Sequence, residues 1–136
     1  MSKREPFKLL FVCVENSNRS QMAEAFARIE GGEQVQAYSA GSRPSGRVNP
    51  KAVAAMRDYD YDLSAHSSKS LEEIAGIEFD AVVTMGCGDN CPWVPARQRM
   101  DWALTDPRDL DEVAYLGVRD EIRDRVRALL ESLRRA

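Results

Sequence analysis

Short apolar runs rich in β-branched and aromatic residues alternate along this chain with stretches of strong helix formers, and that alternation constrains the fold more than any other feature. Lys8–Val14 carries a continuous apolar run, the pattern of a parallel strand buried on both faces. From about Ser20 to Glu30 the residues favour a helix, and Gly31-Gly32 closes it. Val35–Ala40 reads as a second strand, and Ser42 to Gly46 as a turn region. Asn49-Pro50 supplies a cap and a proline at the first helical position for a helix to about Arg57. A short helix is expected near Ser70–Ala75, a third strand at Phe79–Met85 and a shorter fourth at Met100–Leu104. The last helix is expected from about Asp109 to Leu133, where Val118, Ile122, Val126, Leu129, Leu130 and Leu133 keep a spacing of three to four. The whole reads as one α/β domain over residues 1–136, a small four-stranded parallel sheet flanked by helices on both faces, with a phosphate-binding loop after the first strand. Ligands in such sheets sit beyond the carboxyl ends of the strands. Cys13, Cys87 and Asp106 each follow a strand, so the three are expected to converge.

A net charge of -3 argues against nucleic acid or an anionic membrane as the main partner. The apolar run from Leu9 to Val14 is too short for a membrane span or a signal-peptide core, and the protein is expected in the cytoplasm. Three cysteines make an odd number, which disfavours a structural disulfide framework. A zinc site from Cys13, His66, Cys87 and Cys91 gains little from the spacing, because only Cys87 and Cys91 lie near each other and Arg19 would set a fixed charge beside the metal. His66, in a polar Ser/Lys stretch, reads as a hydrogen-bonding residue rather than a base.

The residues from Cys13 to Ser20, Cys-Val-Glu-Asn-Ser-Asn-Arg-Ser, join the first strand to the first helix. Five residues between cysteine and arginine let the backbone curl with its N–H groups inward, and the helix N-terminus adds partial positive charge beneath the same point. Glu15, Asn16, Ser17, Asn18, Arg19 and Ser20 are thus the candidate substrate-binding residues, with the Arg19 guanidinium able to grip two oxygens of an oxyanion. The same field favours thiolate over thiol at Cys13, with Ser17 and Ser20 in reach to hydrogen-bond it. A lone cysteine ending a strand is ordinarily an inert small hydrophobe. Here the arginine six positions on, the two serines and the helix start reverse that reading.

With these motifs the chain resembles the low-molecular-weight protein tyrosine phosphatase family and, within it, the thioredoxin-coupled arsenate reductases. Asn16 to Glu24 (Asn-Ser-Asn-Arg-Ser-Gln-Met-Ala-Glu) is similar to the reductase branch. Ser39-Ala-Gly41, Val48-Asn-Pro50, Asp62 to Lys69, Val82 to Met85, Cys87-Gly-Asp89, Asp101-Trp102 and Asp106-Pro107 extend the likeness from about Lys8 to Leu133. For a reductase, the resemblance implies that Cys13 forms an arsenate adduct, that Cys87 attacks it to release arsenite, and that Cys91 carries the disulfide outward to thioredoxin. For a phosphatase, it implies a phosphocysteine at Cys13 and a general acid at Asp106. It also implies, for some reductases, a potassium ion, with Asn16, Glu24, Ser39 and Asp62 at the matching positions.

Two departures bear on the choice. Only Gly88-Asp89-Asn90 separates Cys87 from Cys91, a shorter insert than thioredoxin-coupled members carry, which leaves room for glutathione or mycothiol to complete reduction on Cys13. The stretch Ser42–Arg47 has no aromatic residue to stack on a phosphotyrosine ring, and positions 15 and 18 hold Glu and Asn where phosphatases usually carry Gly and Cys. Arsenate reduction is therefore preferred, with phosphate-monoester hydrolysis as the alternative. A silent anion-binding or redox-sensing module is disfavoured by the intact Cys13, Arg19 and Asp106.

Overall fold

The computed structural model describes residues 5–86 and 93–135. Strand β1 (Phe7–Cys13) lies at the centre of a four-stranded parallel sheet ordered β2-β1-β3-β4, with β2 spanning Val35–Gly41, β3 Phe79–Thr84 and β4 Ala96–Asp101. Helices α1 (Arg19–Gly31), α2 (Pro50–Arg57) and α3 (Glu112–Arg135) complete the regular elements, together with 3₁₀ turns at Gly32–Gln34, Leu63–Ala65 and Leu71–Ile74. This is the α/β architecture expected from the alternation of runs.

Side-chain alternation along β1 divides the core. Leu9, Phe11 and Cys13 face a large cluster built with Met22, Phe26, Met56, Ile122 and Leu130 of the three α-helices. Leu10 and Val12 face a smaller cluster with Ile74, Phe79 and Val82. The two helical layers are therefore unequal. The expected short helix at Ser70–Ala75 is a 3₁₀ turn, and it alone among the described helical elements contributes to the second cluster. Ser70 opens it, its backbone N–H held by Glu73 Oε2 at 2.8 Å.

The fourth strand corrects the expectation. It runs from Ala96 to Asp101, not from Met100 to Leu104. Pairing only with β3, it is an edge, and Arg97, Gln98 and Arg99 face solvent, so it carries no apolar run to read. The apolar signal came from the segment after it, where Trp102 and Leu104 are buried and the Trp102 ring lies 5.9 Å from that of Phe11. The last helix starts at Glu112 rather than near Asp109, because Asp111 caps it, accepting the Ala114 N–H at 2.8 Å. Asn49 caps α2 in the same way through the Lys51 N–H at 2.9 Å, as Asn49-Pro50 suggested.

Candidate active site

Cys13 ends β1 and Arg19 begins α1, so the loop between them sits over the carboxyl edge of the sheet at the helix N-terminus. What turns its backbone inward is the fate of its carbonyls. Val14 C=O accepts from Arg43 N–H at 2.8 Å, Glu15 C=O from Ser45 N–H at 3.0 Å, and Ser17 C=O from Asn49 N–H at 3.1 Å. Gln21 Nε2 donates to Asn16 C=O at 3.1 Å. Each planar peptide points its N–H opposite to its C=O. With four successive carbonyls bound outward, the amides of residues 15 to 18 are presented on the Cys13 side. The Asn16 N–H reaches Cys13 Sγ at 3.2 Å.

Asn16 is the pivot, with φ of 51°. Asparagine tolerates this left-handed conformation better than most residues. Its side chain secures it: Oδ1 accepts from Lys69 N–H at 2.7 Å and Gln21 Nε2 at 2.9 Å, and Nδ2 donates to Ser20 Oγ at 2.9 Å. Ser20 Oγ, accepting there, keeps its own hydrogen to donate to Cys13 Sγ at 2.8 Å. Of the two serines expected at the sulfur, only Ser20 bonds it. Ser17 Oγ instead donates to Arg47 C=O at 3.1 Å. Asn18 Oδ1 accepts the Tyr115 hydroxyl at 2.7 Å, and burial together with the nearby Asp106 charge pushes that phenol well above its ordinary range, keeping it a donor.

Arg19 crosses to the opposite wall. Its Nη1 donates to Met85 C=O at 2.6 Å and Leu104 C=O at 3.0 Å, and Nη2 lies 3.9 Å from Asp106 Oδ2. Asp106 Oδ1 accepts the Arg108 N–H at 3.1 Å, which fixes the carboxyl at the rim. Cys13, Glu15, Ser17, Asn18, Arg19, Gly86, Leu104, Asp106 and Arg108 line, with Val14, one open pocket of about 420 Å³. Cys13, Arg19 and Asp106 are thus brought together; the side chains of Asn16 and Ser20 brace the loop from behind. Cys87 and Cys91 lie outside the described residues, though Gly86, the residue before Cys87, is part of the pocket wall.

Behind the loop lies a buried polar group that sequence reasoning largely missed. His66 Nδ1 meets Gln21 Oε1 at 2.9 Å, and its Nε2 meets the Tyr61 hydroxyl at 2.5 Å. Because Gln21 Nε2 is the donor to Asn16, its Oε1 must accept, which assigns the His66 proton to Nδ1. Burial lowers the His66 pKa despite the pull of Glu24, with Arg28 and Lys69 adding to the depression. The signal that could have found this group was Gln21, which together with Glu24 sets polar residues on the buried face of α1. His66 is a hydrogen-bonding residue as expected, with one partner local in sequence, Tyr61, and the other, Gln21, on α1.

The side-chain oxygens of the four matching potassium positions, Asn16, Glu24, Ser39 and Asp62, all have partners within the chain. Ser39 Oγ donates to Glu24 Oε1 at 2.6 Å, while Asp62 is exposed and spends its carboxylate on Ser64 N–H at 3.0 Å. Glu24 is already matched by cations of this chain, Arg28 Nη2 at 2.8 Å and Lys69 Nζ at 3.6 Å.

A strand-ending cysteine, an inward-curled loop and an arginine at the helix start define a phosphatase-type oxyanion pocket, and the sequence places the chain accordingly. It belongs to the family described as low molecular weight phosphotyrosine protein phosphatase, which it matches over residues 8–136. Within that family it is similar to the glutaredoxin arsenate reductase of Synechocystis sp., 36% identical over 93% of this chain and 98% of the relative. It is also similar to the arsenate reductase of Staphylococcus aureus, 40% identical over 85% of this chain and 89% of the relative. Among solved structures it superposes on an arsenate reductase in the phosphate binding state with a TM-score of 0.85 at 36% identity, covering 93% of this chain and 98% of that one. A low molecular weight protein tyrosine phosphatase from T. tengcongensis gives 0.78 at 25% identity, covering 93% and 99%. Among the described residues no helix is long and apolar enough to cross a membrane.

Proposed function

We propose that this chain reduces arsenate to arsenite in the cytoplasm, with Cys13 as nucleophile. The observation that carries this is the Cys13 sulfur at the base of an oxyanion pocket, with one backbone amide and one hydroxyl directed at it and Arg19 beside it. The Cys13 thiolate attacks arsenic, forming an S–As bond as an arsenate oxygen leaves with protons as water. Cys87 thiolate then attacks Cys13 Sγ. The S–As bond breaks with its electron pair kept by arsenic, which leaves as arsenite, and a Cys13–Cys87 disulfide forms. Cys91 attacks Cys87, freeing Cys13, and an external thiol reductant returns two electrons to the Cys87–Cys91 pair. Supporting this relay, Gly86, the residue before Cys87 in the sequence, is in the pocket wall, and its φ of 74° is one that favours glycine.

The test is arsenite production by the pure protein supplied in turn with thioredoxin and its reductase, glutathione with glutaredoxin, and mycothiol. One turnover without reductant should leave Cys87–Cys91 oxidised, read by peptide mass mapping, and Cys91→Ser should trap Cys13–Cys87. If Cys87→Ser still reduces arsenate with glutathione or mycothiol, the relay is wrong and a small thiol acts directly on the Cys13 adduct. Hydrolysis of phosphate monoesters is the second reading, favoured by the Asp106 carboxyl at the rim near Arg19. Turnover of p-nitrophenyl phosphate without arsenite production in any thiol system would put it first.

A further inference from the structure

Two charged side chains span the mouth of the pocket, one from each wall. Glu15 belongs to the loop that holds Cys13, and Arg108 follows Asp106-Pro107 on the other side, yet Arg108 Nη1 lies 3.2 Å from Glu15 Oε1. Both line the pocket. Arg108 is anchored independently of that pair. Its N–H is held by Asp106 Oδ1, and its C=O accepts Lys51 Nζ at 2.9 Å, so its backbone position does not depend on its side chain. Glu15 is likewise fixed by its backbone, whose C=O accepts from Ser45 N–H and from Ser68 Oγ at 3.0 Å. The carboxylate therefore meets a guanidinium at the mouth instead of joining the anion-binding backbone below it.

We propose that the Glu15–Arg108 pair is a size-selecting bridge that admits inorganic tetrahedral oxyanions to Cys13 and disfavours oxyanions carrying an aryl or other bulky substituent. The inference deepens, and rests on, the reading of this pocket as an oxyanion site. A free oxyanion fits beneath the bridge. An ester or phosphonate must lead its organic group out through the mouth, which requires the pair to part. Half-exposed ion pairs are weak and open readily, so the bridge biases selection and does not seal the site.

The sign of the effect distinguishes a bridge from a plain charge. Removing an acidic residue raises affinity for any anion, and removing a basic one lowers it, so a purely electrostatic role moves the affinities of both probes together, up in Glu15→Gln and down in Arg108→Ala, and leaves their ratio unchanged. A bridge moves the ratio itself, and in the same direction in both variants. The readout is protection of Cys13 from iodoacetamide in the full chain, with inorganic phosphate and phenylphosphonate as competing probes, and the ratio of their dissociation constants as the quantity compared. This needs neither arsenate reduction nor ester turnover, so failure of the reductase reading, seen as absent arsenite, is separate from failure here. In the unmodified protein phosphate should bind more tightly than phenylphosphonate. Each variant should shrink that preference by about fivefold, on the scale of one exposed pair. The double variant should do no more than either single, since all three break the same contact. The reversed pair, Glu15→Arg with Arg108→Glu, should restore the preference. Opposite shifts in the two single variants, or an unchanged ratio in both, overturn the proposal.

Discussion

At the residue scale, Cys13 and Arg19 divide the work sharply. Cys13→Ser keeps the shape of the loop and its bond to Ser20 but supplies no anion at neutral pH. Arsenite production and ester hydrolysis should both vanish while inorganic phosphate still binds, which titration calorimetry reads directly. Residual turnover by either route would reassign the nucleophile. Arg19→Lys keeps the charge and loses the fork. In the structure one guanidinium nitrogen bonds Met85 C=O and Leu104 C=O while the other faces the Asp106 side, and an ammonium group has no second nitrogen with which to do both. Activity should fall about 10²-fold, as for loss of one preorganised oxyanion donor. If Lys served as well as Arg, residue 19 would be acting as a tether between walls.

At the scale of elements, the loop owes its shape to its neighbours as much as to itself. Gly41 ends β2 against the back of the loop, where a Cβ would stand 2.5 Å from the Val14 carbonyl oxygen and 3.0 Å from the Asn16 amide nitrogen. Both are backbone atoms that cannot rotate away. Gly41→Ala should cost about 1–3 kcal/mol in denaturant unfolding, the scale of overpacking, and should lower activity further than the lost stability explains by displacing the Asn16 amide from Cys13. A variant with full stability and full activity would show that loop and strand end are not in register as described. The same interdependence explains what was legible in the sequence. β1, α1 and the loop between them were readable because their cues are local: an unbroken apolar run, helix formers, and cysteine and arginine at a fixed interval. β4 was not, since an exposed edge strand of Arg and Gln carries no periodic apolar signal. The partners of Glu15 and Asn18 lie more than 90 positions away at Arg108 and Tyr115, and spacing along the chain carries no trace of such contacts.

At the scale of the whole molecule, the polar group behind the loop couples the site to the stability of the fold. His66 is faced by Gln21, Glu24 (Oε2 3.4 Å from Nδ1) and Arg28 of α1, by Tyr61, and by Asp62 and Lys69. Burial is the largest influence and holds its pKa below the 6.5 of a free histidine, so the folded protein keeps it neutral where the unfolded chain would already be protonated. The unfolded state then binds more protons, and stability is lost as pH falls from about 6.5 through the folded value; above that range His66 is neutral in both states and contributes no slope. Asp62 and Asp120, whose pKa values are lowered from 3.8, act in the same sense but only at more acid pH. The thermal midpoint of the unmodified protein should therefore drop between about pH 7.5 and 5, and His66→Gln should flatten that drop even while lowering the midpoint at neutral pH. Protonating His66 also adds a donor at Nε2, where the Tyr61 hydroxyl now donates, so that bond must reverse. On its other side His66 Nδ1 bonds Gln21, which in turn holds Asn16, the residue whose amide meets the Cys13 sulfur. Equal slopes for the unmodified protein and His66→Gln would mean that His66 is not held neutral and that the group behind the loop is only packing.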